Sequence, residues 1–307
     1  MKLGVHESVE AVFPPTALVE ALADRTGTVD VVGDDPIELG EYDGVVTLAH
    51  RDAFLDAVDW VHSVQAGIDR FPLPEYESAG VALTNSAGIH GDSVGETVVG
   101  YMTALARGLH RYQSARERGE WIEPEWDRPF TLDGETVCVV GLGTIGQAVA
   151  ERATWLGMEV LGVRRSPDPA PIVDEVYTPG DLHKAIFDAR FVVLAVPLTA
   201  ETRRMIGPAE LTAMSSDAYL INVARGGVVV EDALVEAVTD GQIAGAALDV
   251  FQREPLPEDS PLWDLEDVIV TPHAAGRVDD YHERVAEIVR ENVERIDEER
   301  PLRNQVA

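Results

Sequence analysis

Apolar residues along this chain occur in short unbroken runs, which alternate with longer segments where apolar positions recur at helical spacing. Unbroken runs are typical of strands buried on both faces of a parallel sheet, and the helical segments supply the layers that cover those faces. The pattern therefore predicts an α/β fold built from parallel sheets.

The early part of the chain predicts a small domain. Helical spacing predicts a helix at Pro15–Leu22, and unbroken apolar runs predict strands at 44–48, 60–64 and 81–84. Strands that alternate with helices in this way favour a flavodoxin-like α/β arrangement. We expect this smaller domain to span residues 1–93 and to be completed by 278–307.

The middle of the chain, residues 94–277, predicts a second and larger domain. Its apolar runs lie at 137–140, 158–163, 191–196, 218–223, 244–250 and 267–270. Six such strands with helices between them predict a Rossmann-type doubly wound sheet.

Two helices are predicted to flank this larger domain. The helix that leads into it has apolar residues at helical spacing: Val94, Val98, Met102, Leu105 and Leu109. A last helix near residues 281–298 has its apolar residues at similar spacing, and we expect it to return the chain to the smaller domain.

A glycine-rich segment follows the first strand of the larger domain and precedes a helix. Its residues are Gly141, Leu142, Gly143, Thr144, Ile145 and Gly146. In a strand–turn–helix context, the first glycine permits a tight turn, the second lets the backbone approach a pyrophosphate, and the third allows close packing of helix on strand. The segment predicts a dinucleotide cofactor, with its pyrophosphate at the N-terminus of the helix.

Charge narrows the range of partners. The 307 residues include 55 acidic and 24 basic side chains, a formal net charge of -31, and the only lysines are Lys2 and Lys184. Such a surface repels phosphate backbones and anionic lipids, so we expect no nucleic-acid or membrane partner. The pattern resembles proteins of salt-loving cytoplasms; an ordinary acidic protein is the alternative.

The sequence also indicates where the protein works. We find no apolar run of membrane-spanning length and no signal-peptide pattern, which predicts a soluble cytoplasmic protein. The single cysteine, Cys138, lies in a predicted buried strand and is expected to act as a small apolar residue, so neither a disulfide within the chain nor a metal site is predicted.

Three polar residues follow the last three predicted strands: Arg225, Glu254 and His273. Because the carboxyl ends of parallel strands line the ligand crevice, we expect these side chains to converge. A histidine can donate a proton to the alkoxide that forms when hydride reduces a carbonyl, and a carboxylate on its other nitrogen favours the charged imidazole. An arginine can bind a substrate carboxylate in a planar fork. Taken singly, His273 could instead be a satisfied surface or core residue, and Arg225 or Glu254 could be a solvated loop charge.

These motifs together resemble the D-isomer-specific 2-hydroxyacid dehydrogenase family over nearly the whole chain. The segments that carry the resemblance are 64–69, Glu96 with Thr97, 141–146, 196–199 with Glu201 and Thr202, 222–227, 249–255 and 271–276. The resemblance implies hydride transfer between NADP(H) and a 2-keto acid / D-2-hydroxy acid pair, in a protein that forms homodimers.

The resemblance also implies roles for single residues. Arg225 would bind substrate and polarise its carbonyl, His273 would be the acid/base, and Glu254 would orient it. The amides of Ala66 and Gly67 would bind the substrate carboxylate. The implied cofactor contacts are Thr97, Gly141, Leu142, Gly143, Thr144, Ile145, Gly146, Arg164, Arg165, Ser166, Val196, Pro197, Thr202, Val223, Ala224, Asp249 and His273. For Asp69 and Asn85, capping of a turn near the cleft and contact with a ligand both stay open.

One position departs from the commoner family pattern. NAD-selective members carry an acidic residue at the end of the second strand, where this chain has Arg164, Arg165 and Ser166. Two guanidinium groups and a hydroxyl suit a 2′-phosphate, so NADP(H) is expected to be preferred and NAD(H) is possible. In the alternative, both arginines balance the acidic surface and Asp168 serves the ribose.

Two other functions stay open at this point. Within the family, a glyoxylate/hydroxypyruvate reductase is the main alternative. Outside enzymes, the alternative is a nucleotide-sensing, corepressor-like binding protein, which the complete Arg225, Glu254 and His273 set disfavours.

Overall fold

The computed structural model describes residues 1–23, 27–126 and 128–307. The chain divides into two compact units. Met1–His90 together with Arg277–Ala307 form the smaller unit, and Gly91–Gly276 form the larger unit.

The smaller unit contains one parallel sheet of five strands in the order β2-β1-β3-β4-β5. The strands are β1 (Leu3–His6), β2 (Val29–Val32), β3 (Gly44–Thr47), β4 (Trp60–Ser63) and β5 (Ala82–Asn85). The helices between them are α1 (Pro15–Leu22), α2 (Pro36–Leu39), α3 (Ala53–Ala57) and α4 (Leu73–Ala79).

The larger unit contains a parallel sheet of seven strands in the order β12-β11-β10-β9-β6-β7-β8. The strands are β6 (Thr136–Val140), β7 (Glu159–Val163), β8 (Glu175–Tyr177), β9 (Phe191–Leu194), β10 (Tyr219–Asn222), β11 (Gly245–Leu248) and β12 (Val268–Val270). The helices are α5 (Gly91–Arg107), α6 (Leu109–Glu117), α7 (Thr144–Trp155), α8 (Leu182–Phe187), α9 (Pro208–Ala213) and α10 (Glu231–Thr239).

The chain then returns to the smaller unit through α11 (Tyr281–Asp297). Val285 and Val289 of this helix are buried against the apolar face of α1, which includes Leu18 and Leu22. Short 3-10 turns occupy Glu7–Ala11, Pro179–Asp181, Gly226–Val228 and Pro261–Asp264. The predicted α/β class with doubly wound parallel sheets is confirmed.

Three strands were missed by the apolar pattern. β1 lies inside its sheet, yet its run is broken by Gly4 and by His6, which is buried and pairs with Asp34. β2 and β8 are edge strands and carry exposed polar residues, so neither forms an unbroken apolar run. Edge strands bury less surface and therefore leave a weaker sequence signal.

The predicted helix through residues 94–109 was wrong at its end. α5 stops at Arg107 because Gly108 adopts a left-handed conformation with φ of 66°, which breaks the helix. Leu109 begins α6 and is 49% exposed, although it continues the apolar spacing of α5. The spacing alone could not show that the backbone changes direction there.

Candidate functional site

The glycine turn between β6 and α7 has the form that the sequence predicts. Gly141 has φ of 99°, and a Cβ atom there would lie 2.5 Å from the carbonyl oxygen of Ala195. A Cβ on Gly146 would lie 1.8 Å from the carbonyl oxygen of Gly141, so only glycine permits this close packing. At Gly143 the space is open, and no side chain caps the first turn of α7. The turn therefore presents free helix amides to an open space, as a phosphate requires.

Arg164, Arg165 and Ser166, which follow β7, are exposed or half-buried. Within the described part of the chain, neither Arg164 nor Arg165 has an ion-pair partner. The Ser166 hydroxyl donates to the Asp168 carboxylate. A hydrogen bond from Thr199, helped by the nearby charge of Arg165, holds the pKa of Glu201 below its ordinary value. The two guanidinium groups thus remain available to a ligand, with the carboxylate of Glu201 near Arg165.

Arg225, Glu254 and His273 follow β10, β11 and β12, which are neighbours in the sheet. Because these strands are parallel, all three residues come from the same edge. The Nδ1 atom of His273 lies 2.7 Å from a carboxylate oxygen of Glu254. The other oxygen of Glu254 accepts the N–H of Phe251 at 3.1 Å, which fixes the carboxylate in place.

Asp249 organises the loop that carries His273. Its carboxylate is 2% exposed and accepts hydrogen bonds from the Thr271 hydroxyl at 2.6 Å and from the N–H groups of Ala274 and Ala275 at 2.8 and 2.9 Å. His273 adopts a left-handed conformation with φ of 52°, which is unfavourable for a non-glycine residue. The buried carboxylate stabilises this strained backbone, and one of its oxygens can still accept a further donor.

The Arg225 turn is positioned by a buried asparagine and a glycine. Asn222 accepts the N–H of Ala224 at 3.1 Å and donates to the carbonyl oxygen of Arg225 at 3.1 Å. A Cβ on Gly226 would lie 1.9 Å from the backbone of Phe251. Glycine therefore lets the Arg225 turn pack against the segment that leads to Glu254.

The remaining predicted cofactor residues lie in the same unit. Thr202 donates to the carbonyl oxygen of Pro197 at 2.5 Å, and Val196 packs against Gly141. The Thr97 hydroxyl donates to the carbonyl oxygens of Ser93 at 2.9 Å or of Ala275 at 3.2 Å. Thr97 therefore ties α5 to the His273 loop, and its hydroxyl would have to turn before it could donate to a phosphate.

In the smaller unit, Ala66 and Gly67 lie in the turn that follows β4. Asn85, at the end of β5, donates to the carbonyl oxygen of Ala66 at 2.8 Å. Tyr281 of α11 donates to the carbonyl oxygen of Val64 at 3.0 Å. No sequence pattern predicts this contact of Tyr281, because the residue lies far from the turn along the chain.

Neither metal-binding nor membrane-spanning features are found. In residues 1–23, 27–126 and 128–307, no group of three or more His, Cys, Asp or Glu side chains has an arrangement that could hold a metal ion. No helix in the same ranges is both long and apolar enough to cross a membrane.

Comparison with known proteins identifies the family. Residues 99–275 match the family described as D-isomer specific 2-hydroxyacid dehydrogenase, NAD binding domain. A glyoxylate reductase of Thermofilum pendens is 35% identical to this chain over 240 residues, which are 76% of this chain and 70% of that protein.

Solved structures extend the similarity to both units. A D-isomer specific 2-hydroxyacid dehydrogenase of Xanthobacter autotrophicus, in complex with NADPH, is 30% identical with a TM-score of 0.82, covering 100% of this chain and 98% of that one. An NADPH-dependent glyoxylate/hydroxypyruvate reductase of Sinorhizobium meliloti, in complex with NADP and sulfate, is 26% identical with a TM-score of 0.84 at the same coverage. The chain therefore belongs to the D-isomer specific 2-hydroxyacid dehydrogenase family, whose members are oxidoreductases that act on CH–OH donors with NAD(P).

Proposed function

We propose that this protein reduces a small 2-keto acid to the D-2-hydroxy acid, and catalyses the reverse reaction, with Arg225, Glu254 and His273 as its catalytic residues. The observation that carries the proposal is the 2.7 Å contact between Glu254 and Nδ1 of His273, at the sheet edge where Arg225 also lies. A carboxylate–imidazole pair of this kind is suited to proton transfer to a carbonyl oxygen.

The residues divide the reaction between them. NADPH, when bound, supplies the hydride that attacks the carbonyl carbon. The imidazolium of His273 donates the Nε2 proton to the carbonyl oxygen, so the alkoxide becomes a hydroxyl and the imidazole becomes neutral. Glu254 accepts the Nδ1–H throughout and stabilises the charged ring. The guanidinium of Arg225 binds the substrate carboxylate and polarises the neighbouring carbonyl.

The glycine turn fits a dinucleotide. Gly143 faces open space, while Gly141 and Gly146 allow contacts that a Cβ would block. We assign the pyrophosphate to this turn and the nicotinamide carboxamide to Val223, Ala224 and Asp249. One oxygen of Asp249 accepts only one protein donor and can accept the carboxamide as well.

NADP(H) is the proposed cofactor, and NAD(H) is a weaker alternative. The support is the absence of ion-pair partners for Arg164 and Arg165 among the described residues, in a chain with more than twice as many acidic as basic side chains. Unpaired guanidinium groups bind phosphate with charge-assisted hydrogen bonds. The carboxylate of Glu201, near Arg165, weakens that preference.

The proposed substrate domain is the smaller unit, with the amides of Ala66 and Gly67 binding the substrate carboxylate. Glyoxylate and hydroxypyruvate are the first substrates to test, because the T. pendens and S. meliloti relatives carry those names. Asp69 is exposed near this turn.

The decisive experiment is a keto-acid panel of glyoxylate, hydroxypyruvate and pyruvate, assayed with NADPH and NADH in parallel. We expect oxidation of NADPH with at least one substrate, and a D-configured product from hydroxypyruvate or pyruvate. Stoichiometric NADPH binding without turnover of any keto acid would contradict the proposal and favour a nucleotide sensor.

We further propose a cytoplasmic homodimer adapted to high salt, without nucleic-acid or membrane partners. Support for the assembly comes from Trp121 and Trp126 of the larger unit, which are 91% and 93% exposed. Exposed tryptophans in so acidic a chain favour burial against a second copy. Sedimentation equilibrium in molar KCl should give twice the mass of one chain, and a monomer mass would contradict the assembly.

A further inference from the structure

The turn at residues 64–67 has three consecutive carbonyl oxygens bonded to donors of the smaller unit. Tyr281 donates to Val64 at 3.0 Å, the N–H of Ser86 donates to Gln65 at 3.1 Å, and Asn85 donates to Ala66 at 2.8 Å. A turn held at three carbonyls in succession has little freedom to rotate its peptide planes.

These hydrogen bonds determine the direction of the N–H groups of Ala66 and Gly67. In a trans peptide the N–H is directed opposite to the C=O, so the bonds to Gln65 and Ala66 direct the N–H groups of Ala66 and Gly67 away from Ser86 and Asn85. Across the described residues, neither of these two N–H groups has a hydrogen-bond partner. The turn thus presents two uncommitted donors in a fixed orientation.

The backbone and side-chain polar groups of Asn85 are all hydrogen bonded. It is 6% exposed, its Oδ1 accepts the N–H of Ala87 at 3.1 Å, and its own N–H donates to the carbonyl oxygen of Asn304 at 3.2 Å. The side chain of Asn304 donates to the carbonyl oxygens of Asn85 at 3.0 Å and of Ala87 at 2.8 Å. Asn304 therefore holds the backbone of Asn85 in place, which fixes the direction of the Asn85 side-chain amide that donates to Ala66.

Asparagine suits position 304 for a second reason. Its backbone is left-handed, with φ of 57°, a conformation that asparagine tolerates better than most residues. A glycine at position 304 would keep the left-handed backbone conformation and remove only the side-chain amide. This substitution separates the contribution of the backbone conformation from that of the side chain.

We propose that Asn85 is a positioning residue, braced by Asn304, which orients the Ala66–Gly67 peptide so that both N–H groups face the substrate carboxylate. The inference rests on the proposed function, since it assigns the carboxylate of the keto acid to this turn. The carboxylate is bound equally in the ground state and in the transition state, so loss of the brace weakens substrate binding and leaves the hydride step unchanged.

The kinetic test uses Asn85→Leu, Asn304→Gly and the double variant. We expect the KM for glyoxylate to rise about tenfold in Asn85→Leu, as for one misplaced charge-assisted hydrogen bond, with kcat and the Kd for NADPH unchanged. Because Asn304 acts through Asn85, the double variant should be no worse than Asn85→Leu alone. An unchanged KM, or fully additive effects, would overturn the proposal.

The matched control is Thr47→Val, at the end of the neighbouring strand β3. Thr47 is fully buried and its hydroxyl donates to the carbonyl oxygen of Ala49 at 2.9 Å, so the change also removes a buried hydrogen bond to a loop carbonyl. We expect it to lower the melting temperature while leaving KM unchanged. If it raises KM as much as Asn85→Leu, the effect is general destabilisation and the positioning role is wrong.

A second measurement tests the positioning role of Asn85 without depending on enzyme turnover. Residue-resolved hydrogen–deuterium exchange of the NADPH-bound protein should show faster uptake at the N–H of Ser86, which is bonded to Gln65 of the turn, in Asn85→Leu, and parent-like uptake in Thr47→Val. Faster uptake supports the brace even if the parent reduces no keto acid, an outcome that would count against the proposed function alone. Unchanged uptake would overturn the brace.

Discussion

Glu254 contacts the Nδ1 atom of His273 at 2.7 Å, while the backbone of His273 is held in a left-handed conformation by the loop around Asp249. The imidazole is thus fixed on one nitrogen by a carboxylate, and in the proposed reaction its Nε2 faces the substrate. Three neighbouring strand ends supply this arrangement with Arg225, although the residues are widely separated in the sequence.

The first prediction concerns His273. The change His273→Ala should lower kcat by about 10²- to 10⁴-fold, the usual contribution of a general acid, because the proposed reaction takes its proton from this imidazole. The Kd for NADPH should stay within about twofold, since the imidazole is assigned to the carbonyl and not to the phosphates. Stopped-flow kinetics and fluorescence titration measure the two quantities; a parallel loss of NADPH binding would contradict this assignment.

The second prediction concerns the negative charge of Glu254. The change Glu254→Gln keeps a hydrogen-bond acceptor at Nδ1 but removes the charge that favours imidazolium. The kcat for reduction should therefore fall by about tenfold or more, while the Kd for NADPH stays unchanged, because the charged ring that donates the proton is stabilised less. Stopped-flow kinetics and fluorescence titration measure the two quantities, and an unchanged kcat would show that the negative charge of Glu254 does not act on the histidine.

The third prediction concerns cofactor selectivity. The change Arg165→Ala should lower kcat/KM for NADPH by about tenfold or more, the loss of one charge-assisted hydrogen bond, with little effect on NADH. Asp168→Asn should raise the NADPH/NADH ratio, because it removes a carboxylate that holds the Ser166 hydroxyl. Arg118→Ala is the matched control, since Arg118 is paired with Glu120 and Glu266. Equal kcat/KM for both cofactors in the parent would contradict the NADP(H) assignment.

The fourth prediction concerns the buried histidine His62, which contacts Thr84 at 2.8 Å and Ser86 at 3.0 Å. Burial lowers the pKa of His62 to about 3, so the folded protein keeps it neutral. The unfolded chain binds a proton below about pH 6.5, and stability is therefore lost as the pH falls, by about 1.4 kcal/mol per pH unit from this residue.

Urea unfolding of the parent and of His62→Gln between pH 7 and 5 measures this dependence. The variant should be less stable at pH 7, and its stability should fall less steeply with acid than that of the parent. Equal slopes for the two proteins would mean that His62 is protonated in the fold.

The fifth prediction follows from the net charge of -31. At 0.01 M salt the Debye length is about 30 Å, so most surface carboxylates repel one another, whereas molar salt shortens it to about 3 Å. The melting temperature and activity should rise steeply from millimolar to molar KCl, and NADPH should partly rescue stability at low salt because it binds only the folded protein. A flat or falling melting temperature would contradict the salt adaptation.

Local sequence patterns were enough to predict the α/β class, the strand–turn–helix around Gly141 and Gly146, and the strand ends that carry Arg225, Glu254 and His273. These features depend on local rules: buried parallel strands read as unbroken apolar runs, and a turn that needs a left-handed residue or a close backbone approach needs glycine. Local patterns of this kind can be recognised without knowledge of the rest of the chain.

The distant residues that hold the proposed site could be identified only from contacts within the folded chain. β1, β2 and β8 had no unbroken apolar run, and the break at Gly108 depended on its left-handed backbone. From far along the chain, Tyr281 donates to Val64 in the turn at residues 64–67, and Asn304 donates to Asn85 behind that turn. Their side chains act through hydrogen bonds to backbone atoms, which accept any well-placed donor. Such contacts leave no spacing or composition in the sequence, because the fold alone brings the two partners together.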